Sequence, residues 1–114
     1  MSTNFYAKIT IPSDLMDVGL KIHLGKTGGG ITLSGTWFRS WSTMKEFLEF
    51  NEDKLVILDE YGSELDLVEL ADRFENFDMA ARRKQFDWLE NNDSAGVGHW
   101  LDADGFTFMQ GWFS

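Results

Sequence analysis

Apolar and polar positions alternate on both sides of a glycine-rich stretch in the first third of the chain. The alternation covers residues 20–24 and 31–37, and residues 25–30 between them include four glycines. A period of two is typical of a strand with one buried face, and two such runs joined by glycines predict a β-hairpin. One face of this hairpin is apolar, and the other carries polar side chains: Lys21, His23, Thr32 and Ser34. We expect the rest of the chain to cover the apolar face.

Three further segments have the patterns of strands. Residues 5–10 alternate and end before Pro12, which cannot donate to a ladder. Residues 54–58 are a continuous apolar run, which favours a strand covered on both faces, and residues 105–113 alternate again. Residues 13–18 are compatible with a helical turn or with a loop.

Three segments carry the signals of helices. Thr43, followed by Glu46 three positions later, fits a capping box, and the helix that it starts is expected to end near Asn51. Asp66 is placed to cap a second helix, and Asp78 is placed to cap a third. The third helix is expected to end near residues 91–92. The apolar residues expected to face inward from the second and third helices are Leu67, Leu70, Ala71, Phe74, Met79, Phe86 and Leu89.

These elements predict one α+β domain over residues 1–114. We expect a mainly antiparallel sheet of four or five strands with two or three helices packed on one face. A chain of 114 residues is long enough to bury a core without disulfides, and it contains no cysteine. It has no signal-peptide pattern and no apolar run near the roughly 20 residues of a membrane span, so the expected location is the cytoplasm. Monomer and homodimer both remain open.

The charge of the chain is concentrated in its middle third. Residues 1–45 have a net charge of +3, residues 46–78 of −10 and residues 79–114 of −2. Direct binding to nucleic acid needs a basic surface, so this distribution argues against it. A basic protein, such as one that binds nucleic acid itself, is the more compatible partner.

Two short motifs resemble ligand-binding loops but lack the required residues. Gly25-Lys26-Thr27 matches the end of a phosphate-binding loop, yet Leu20 stands where that motif needs glycine, and a strand follows in place of a helix. Residues 102–105 resemble a calcium loop, but Gly111 falls where a bidentate glutamate is needed. Both segments are better interpreted as turns.

A small site built from polar side chains is the catalytic alternative. His23 and Lys26, together with Asp59 and Glu60 of a predicted turn, could surround a small phosphorylated molecule or a metal; the chain's second histidine, His99, could join them. The spacing of these residues matches no catalytic pattern. We therefore expect no enzyme activity, no cofactor and no metal.

The acidic middle segment is the strongest functional signal. It is either a solubilising surface with helix caps or a docking surface for a basic partner. Tryptophan is enriched at binding hot spots, and an exposed pair among Trp37, Phe38 and Trp41 would provide an anchor. The acidic residues of the segment are Glu46, Glu49, Glu52, Asp53, Asp59, Glu60, Glu64, Asp66, Glu69, Asp72, Glu75 and Asp78. The expected partner-binding residues are Glu60, Glu64, Glu69, Asp72, Glu75, Trp37 and Trp41.

Three patches resemble a family of small, largely uncharacterised bacteriophage proteins. That family has an H-x-G-K-[ST]-x-G hairpin, a D-E-Y-G turn before a helix, and a G-x-F-S tail. The matching residues here are His23, Gly25, Lys26, Thr27, Gly29, Asp59, Glu60, Tyr61, Gly62, Gly111, Phe113 and Ser114. Gly30 and Trp112 depart from the family pattern. The resemblance implies a phage origin and supplies no information about an activity.

Charge and resemblance together favour a function in protein binding. The leading hypothesis is a small acidic phage protein that binds a host protein in the cytoplasm of an infected bacterium. Its expected partner is a basic, nucleic-acid-targeting defence complex, which it would inhibit in an anti-CRISPR-like manner, with the acidic residues as a nucleic-acid mimic.

Overall fold

The computed structural model describes residues 3–11, 18–92 and 98–110, which form one seven-stranded sheet and three helices. The strands are β1 Thr3–Ile11, β2 Val18–Thr27, β3 Ile31–Ser34, β4 Leu55–Asp59, β5 Glu64–Leu65, β6 His99–Leu101 and β7 Thr107–Met109. The helices are α1 Trp41–Phe50, α2 Leu67–Glu75 and α3 Met79–Asn92. Across the sheet the order is β5-β4-β1-β2-β3-β7-β6. Only the β3–β7 pair is parallel within the described residues.

The α+β class is confirmed, whereas the expected strand number of four or five is too low. The two strands that sequence patterns missed are β5, of two residues, and β6, of three. Segments this short contain too few positions for a period of two to appear. The last strand, β7, is also shorter than predicted, and the final four residues of the chain lie outside the described part.

The central hairpin is confirmed with different limits. β2 continues to Thr27, the turn contains residues 28–30, and β3 ends at Ser34, so Trp37 follows the strand instead of ending it. Phe5 of β1 pairs with Gly25, but its neighbour Tyr6 pairs with His23, which leaves one extra residue in β2 between them. This β-bulge shifts the alternation, so Gly25 falls on the core side of the sheet.

The helices lie on both faces of the sheet. α1 and α2 pack together on the face that includes Leu33 and Phe108, as expected for two helices on one side. α3 covers the opposite face, where the Thr107 hydroxyl accepts a hydrogen bond from the backbone N–H of Phe86 at 3.2 Å. Adjacent strand residues point to opposite faces, so Thr32 and Ser34 become buried under α3 although they are polar.

Helix caps agree with the sequence at two of three sites. The Asp66 carboxylate accepts from the Glu69 N–H at 2.7 Å, and the Asp78 carboxylate accepts from the Ala81 N–H at 2.7 Å. α1 begins earlier than predicted, because Ser40 and not Thr43 is its N-cap. Ser40 accepts from the Thr43 N–H at 3.1 Å, so Thr43 is the residue that is capped.

Most of the predicted inward-facing residues are buried. Phe74 packs edge-on against Phe5 and against Trp41, with ring centroids 5.5 and 5.3 Å apart, so α2 is joined to both β1 and α1. Met79 is an exception, because it is exposed at the start of α3. Val56 of β4 is exposed as well, so β4 is not covered on both faces.

Three predicted segments fall partly outside the described residues: the turn or loop over residues 13–18, the loop over residues 93–98, and the C-terminal tail. Among the described helices, none is long and apolar enough to cross a membrane.

Candidate protein-binding groove

A groove of about 560 Å³ lies between α1 and α2. Five carboxylates line it beside one ammonium group, so the groove is acidic overall. Its described lining residues are Lys45, Glu49, Glu52, Asp66, Leu67, Val68, Ala71, Asp72 and Glu75. The acidic residues lie in or directly beside two short helices, α1 and α2, whose apolar stripes face the same sheet, which places their polar flanks side by side.

Two of the five carboxylates stabilise the fold. Asp66 caps α2. Glu75 accepts a hydrogen bond from the indole Nε1 of Trp41 at 2.8 Å and another from the Lys45 ammonium group at 3.2 Å. The bond from Trp41 lowers the pKa of Glu75, and Lys45 lowers it further against the opposing effect of burial. Glu75 is therefore ionised at neutral pH, and its carboxylate is fixed by hydrogen bonds to Trp41 and Lys45.

The other three carboxylates are available to a partner. Glu49, Glu52 and Asp72 are exposed, and their side chains form no hydrogen bond or ion pair with the part of the chain that the structure describes. The negative charges of these carboxylates add up in one groove, so a cationic ligand would be attracted there. The floor of the groove includes Leu67 and Ala71, and Val68 is 77% exposed at its edge.

The structure separates the acidic residues that the sequence grouped together. Asp72 and Glu75 line the groove. Glu64 lies in an adjoining depression of about 220 Å³, which shares Glu52 and Asp66 with the groove. The remaining two lie elsewhere. Glu69 is exposed on α2 outside the groove lining, and Glu60 accepts a hydrogen bond from the Asn4 backbone N–H at 3.1 Å.

Sequence reasoning did not single out Glu49, Glu52 or Asp66 as site residues, although it included them in the acidic segment. The available signal was weak. Glu49 and Glu52 flank the end of one helix and Asp66 starts the next, so their proximity depends on how the two helices pack. A helical pattern gives the direction of each side chain on its own helix and not the neighbour that it meets.

The expected exposed aromatic pair is absent from residues 37–41. Trp41 is only 3% exposed and Phe38 is buried, so both belong to the core. Trp37 is 54% exposed, in the turn after β3. Trp41 therefore contributes to the groove indirectly, by holding Glu75, and cannot serve as a surface anchor.

The structure brings together two residues of the catalytic alternative, His23 and Glu60, through Asn4. The Nε2 of His23 lies 2.9 Å from the Oδ1 of Asn4, and Asn4 in turn contacts Glu60, so His23 and Glu60 are linked through one residue. The Asp59 carboxylate accepts from the backbone N–H groups of Tyr61 and Ser63, both at 2.9 Å, and so closes the β4–β5 turn. Burial lowers the pKa of His23, which favours the neutral imidazole.

The two histidines lie in different parts of the sheet. His99 is on edge strand β6 and contacts Glu90 at 2.9 Å, whereas His23 is on β2. Strands β3 and β7 lie between them, and three strand spacings amount to about 14 Å. Within the described residues, no three histidine, aspartate or glutamate side chains are grouped so that they could hold a metal ion.

Comparison of the chain with protein-family models, with curated proteins and with solved structures finds no match. The resemblance to the phage family stays a prediction, and the geometry of the groove is the basis for a functional proposal.

Proposed function

We propose that this protein acts by binding a basic protein through the acidic groove between α1 and α2, without catalysis. The observation that carries the proposal is that three exposed carboxylates, which form no hydrogen bond or ion pair within the described part of the chain, line one groove: Glu49, Glu52 and Asp72. The excess of negative charge in the middle of the chain extends the attraction beyond the groove and would speed the encounter with a cationic surface.

The groove favours lysine and arginine side chains from the partner. Their charged ends would pair with the carboxylates, and their aliphatic stems would pack on Leu67, Val68 and Ala71. Charge-assisted hydrogen bonds of this kind are stronger than neutral ones, and arginine can form them in pairs. A lysine- or arginine-rich segment is therefore the expected occupant.

Within this class of partners, we propose a host protein that normally binds nucleic acid. RNA-guided nucleases hold nucleic acid in a positively charged channel, and an acidic surface could occupy such a channel. The protein would then inhibit a nucleic-acid-targeting defence in the cytoplasm of an infected bacterium, as an anti-CRISPR-like nucleic-acid mimic. Charge complementarity supports this narrower proposal, together with the resemblance to phage proteins.

The groove is tested by charge removal at the three uncommitted sites. The triple variant Glu49→Gln/Glu52→Gln/Asp72→Asn is compared with the wild type for proteins captured from a bacterial lysate and for binding of a synthetic arginine-rich peptide. We expect the triple variant to bind the peptide at least about tenfold more weakly, with a smaller dependence on salt. Proteins that the wild type captures and the triple variant does not are then assayed for nucleic-acid cleavage, with and without added wild-type protein.

A matched control removes three exposed carboxylates that do not line the groove: Glu46→Gln/Asp53→Asn/Asp104→Asn. This control makes the net charge less negative by the same amount as the groove variant, and it should keep most of the affinity. Equal losses in the two triple variants would reduce the effect to net charge and contradict a groove-specific site. A captured partner that binds through the groove but has no nucleic-acid function would contradict the narrower proposal alone.

A further inference from the structure

A second cleft, of about 260 Å³, lies on the other face of the sheet. The turn of the β2–β3 hairpin, residues 28–30, forms one wall, and one side of α3 forms the other. Strand residues Lys26, Thr32 and Met109 lie between the two walls. The side chains that α3 contributes are Lys84, Gln85 and Trp88.

The glycines of the turn allow α3 to approach. A Cβ atom on Gly30 would lie 3.2 Å from the Ala81 carbonyl oxygen and 3.4 Å from the Cβ of Lys84. Gly29 has a φ of +68°, which disfavours other residues, and a Cβ there would lie 3.4 Å from the Lys84 Nζ. The ammonium group of Lys84 therefore lies directly against the turn.

The charge of this cleft is opposite to that of the chain as a whole. The protein has 19 acidic and 10 basic residues, yet the charged residues among the described lining are Lys26 and Lys84 alone. The nearest acidic residue to Lys84 along α3 is Asp87. Its carboxylate pairs with Arg83 at 3.5 Å, and it does not line the cleft. An anion is attracted to such a site because two lysine residues line it.

The cleft also presents a flat apolar surface. Trp88 lines the cleft and is 54% exposed, so it adds aromatic surface to the cleft on which a planar ring can pack. Thr32 and Gln85, which also line the cleft, add polar side chains. Polar groups that orient a ligand beside an aromatic surface are typical of small-molecule sites.

We propose that this cleft binds a nucleoside phosphate. Lys26 and Lys84 would contact the phosphate, and the base would pack on Trp88. The volume of about 260 Å³ is slightly below the usual range of ligand pockets, which favours a mononucleotide over a larger cofactor. This site is independent of the acidic groove, because the two lie on opposite faces of the sheet.

The test is calorimetric titration of the full chain with AMP, inorganic phosphate and adenosine. We expect AMP to bind more tightly than phosphate, and adenosine to bind more weakly than AMP. Lys84→Gln should weaken AMP binding about tenfold, since it removes a charged contact. Arg83→Gln is the matched control: it removes the same charge from the adjacent position of α3, outside the cleft, and should leave the affinity unchanged.

The ring contact is tested separately. Trp88→Ala should reduce the affinity for AMP to the level of inorganic phosphate and leave phosphate binding as it is. Absence of AMP binding, equal affinities for AMP and phosphate in the wild type, or equal losses in Lys84→Gln and Arg83→Gln would overturn the proposal. The groove triple variant should bind AMP like the wild type, so failure of one site is distinguished from failure of the other.

Discussion

The indole Nε1 of Trp41 donates a hydrogen bond to the carboxylate of Glu75 at 2.8 Å, which joins the first residue of α1 to the last residue of α2. The same carboxylate oxygen accepts from Lys45 at 3.2 Å. Trp41 is buried, so its N–H needs a partner inside the protein. This contact sets the relative position of the two helices that form the acidic groove.

Glu75→Ala is therefore expected to destabilise the fold as well as to remove a charge. The loss of one hydrogen bond from a buried donor should lower the free energy of unfolding by about 1–2 kcal/mol. Glu75→Gln keeps an acceptor oxygen and should lose less. Urea denaturation at neutral pH measures both variants, and equal stability of Glu75→Ala and the wild type would contradict the structural role of this contact.

The same contact predicts a pH dependence. The bond from Trp41, supported by Lys45, lowers the pKa of Glu75 below the ordinary 4.5, so the unfolded chain takes up a proton at this site before the folded protein does. The stabilisation is therefore complete above pH 4.5 and is lost as the pH falls through the folded-state pKa. Denaturation curves across this acidic range should have a smaller pH slope in Glu75→Gln than in the wild type, and an unchanged slope would contradict this assignment.

His23 predicts a second, separate pH effect. Burial lowers its pKa below the ordinary 6.5 against the opposing effect of a hydrogen bond with the Gly25 backbone, and the nearby charge of Lys26 lowers the pKa further. The unfolded chain is thus protonated first as the pH falls below 6.5, and stability declines until the folded-state pKa is passed. His23→Gln should remove this decline, whereas His99→Gln, which replaces the other histidine, should retain it. A decline that follows His99 instead would refute the assignment.

Arg82 joins three segments of backbone. Its guanidinium donates to the carbonyl oxygens of Phe77 at 2.8 Å, Asp104 at 2.9 Å and Glu75 at 2.9 Å, and so ties the α2–α3 junction to the β6–β7 loop. Lysine cannot reproduce this planar arrangement of donors, so Arg82→Lys should lower the free energy of unfolding by about 2–3 kcal/mol. The neighbouring Arg83→Lys, at an exposed ion pair, should change it by less than about 0.5 kcal/mol. Thermal and urea unfolding distinguish the two, and similar effects would contradict the role of Arg82.

Gly25 lies where a larger residue would collide with the neighbouring strand, which is a reason for glycine that the Gly25-Lys26-Thr27 motif does not supply. A Cβ on Gly25 would lie 2.8 Å from the Cδ2 of Leu33 and 2.9 Å from the backbone oxygen of Thr32. Gly25→Ala should therefore cost about 1–3 kcal/mol of stability. Gly19→Ala, in the same strand, meets only the Lys8 Cε at 3.7 Å and should be neutral or slightly stabilising. If the two substitutions have equal effects on urea unfolding, crowding at Gly25 is not the reason for its glycine.

Local patterns located most of the regular elements. The alternation around the glycine cluster corresponds to β2 and β3, and the caps at Asp66 and Asp78 mark the starts of α2 and α3. These signals are local, because capping and side-chain direction depend on residues a few positions apart. Because these signals are local, a capping pattern can also occur by chance. Thr43 fits such a pattern, but the N-cap of α1 is Ser40, one turn earlier.

The assembly of the sheet was beyond local patterns. β3 pairs in parallel with β7, although more than 70 residues separate Ser34 and Thr107 along the chain. The alternation of apolar and polar residues in β3 or in β7 does not show which strand it pairs with. The placement of α3 on the second face follows from this pairing, because β7 carries the Thr107 hydroxyl that contacts the backbone of Phe86 and Arg82.

The sequence by itself determined the α+β class, most of the elements and the acidic character of the middle segment, because these depend on residue type and short-range spacing. Only the tertiary structure decided which carboxylates share a groove, that the buried Trp41 donates to Glu75, and that Lys26 and Lys84 line the same cleft. Each of those relations joins elements that are distant along the chain, and it arises when the elements bury their apolar faces on the two sides of one sheet.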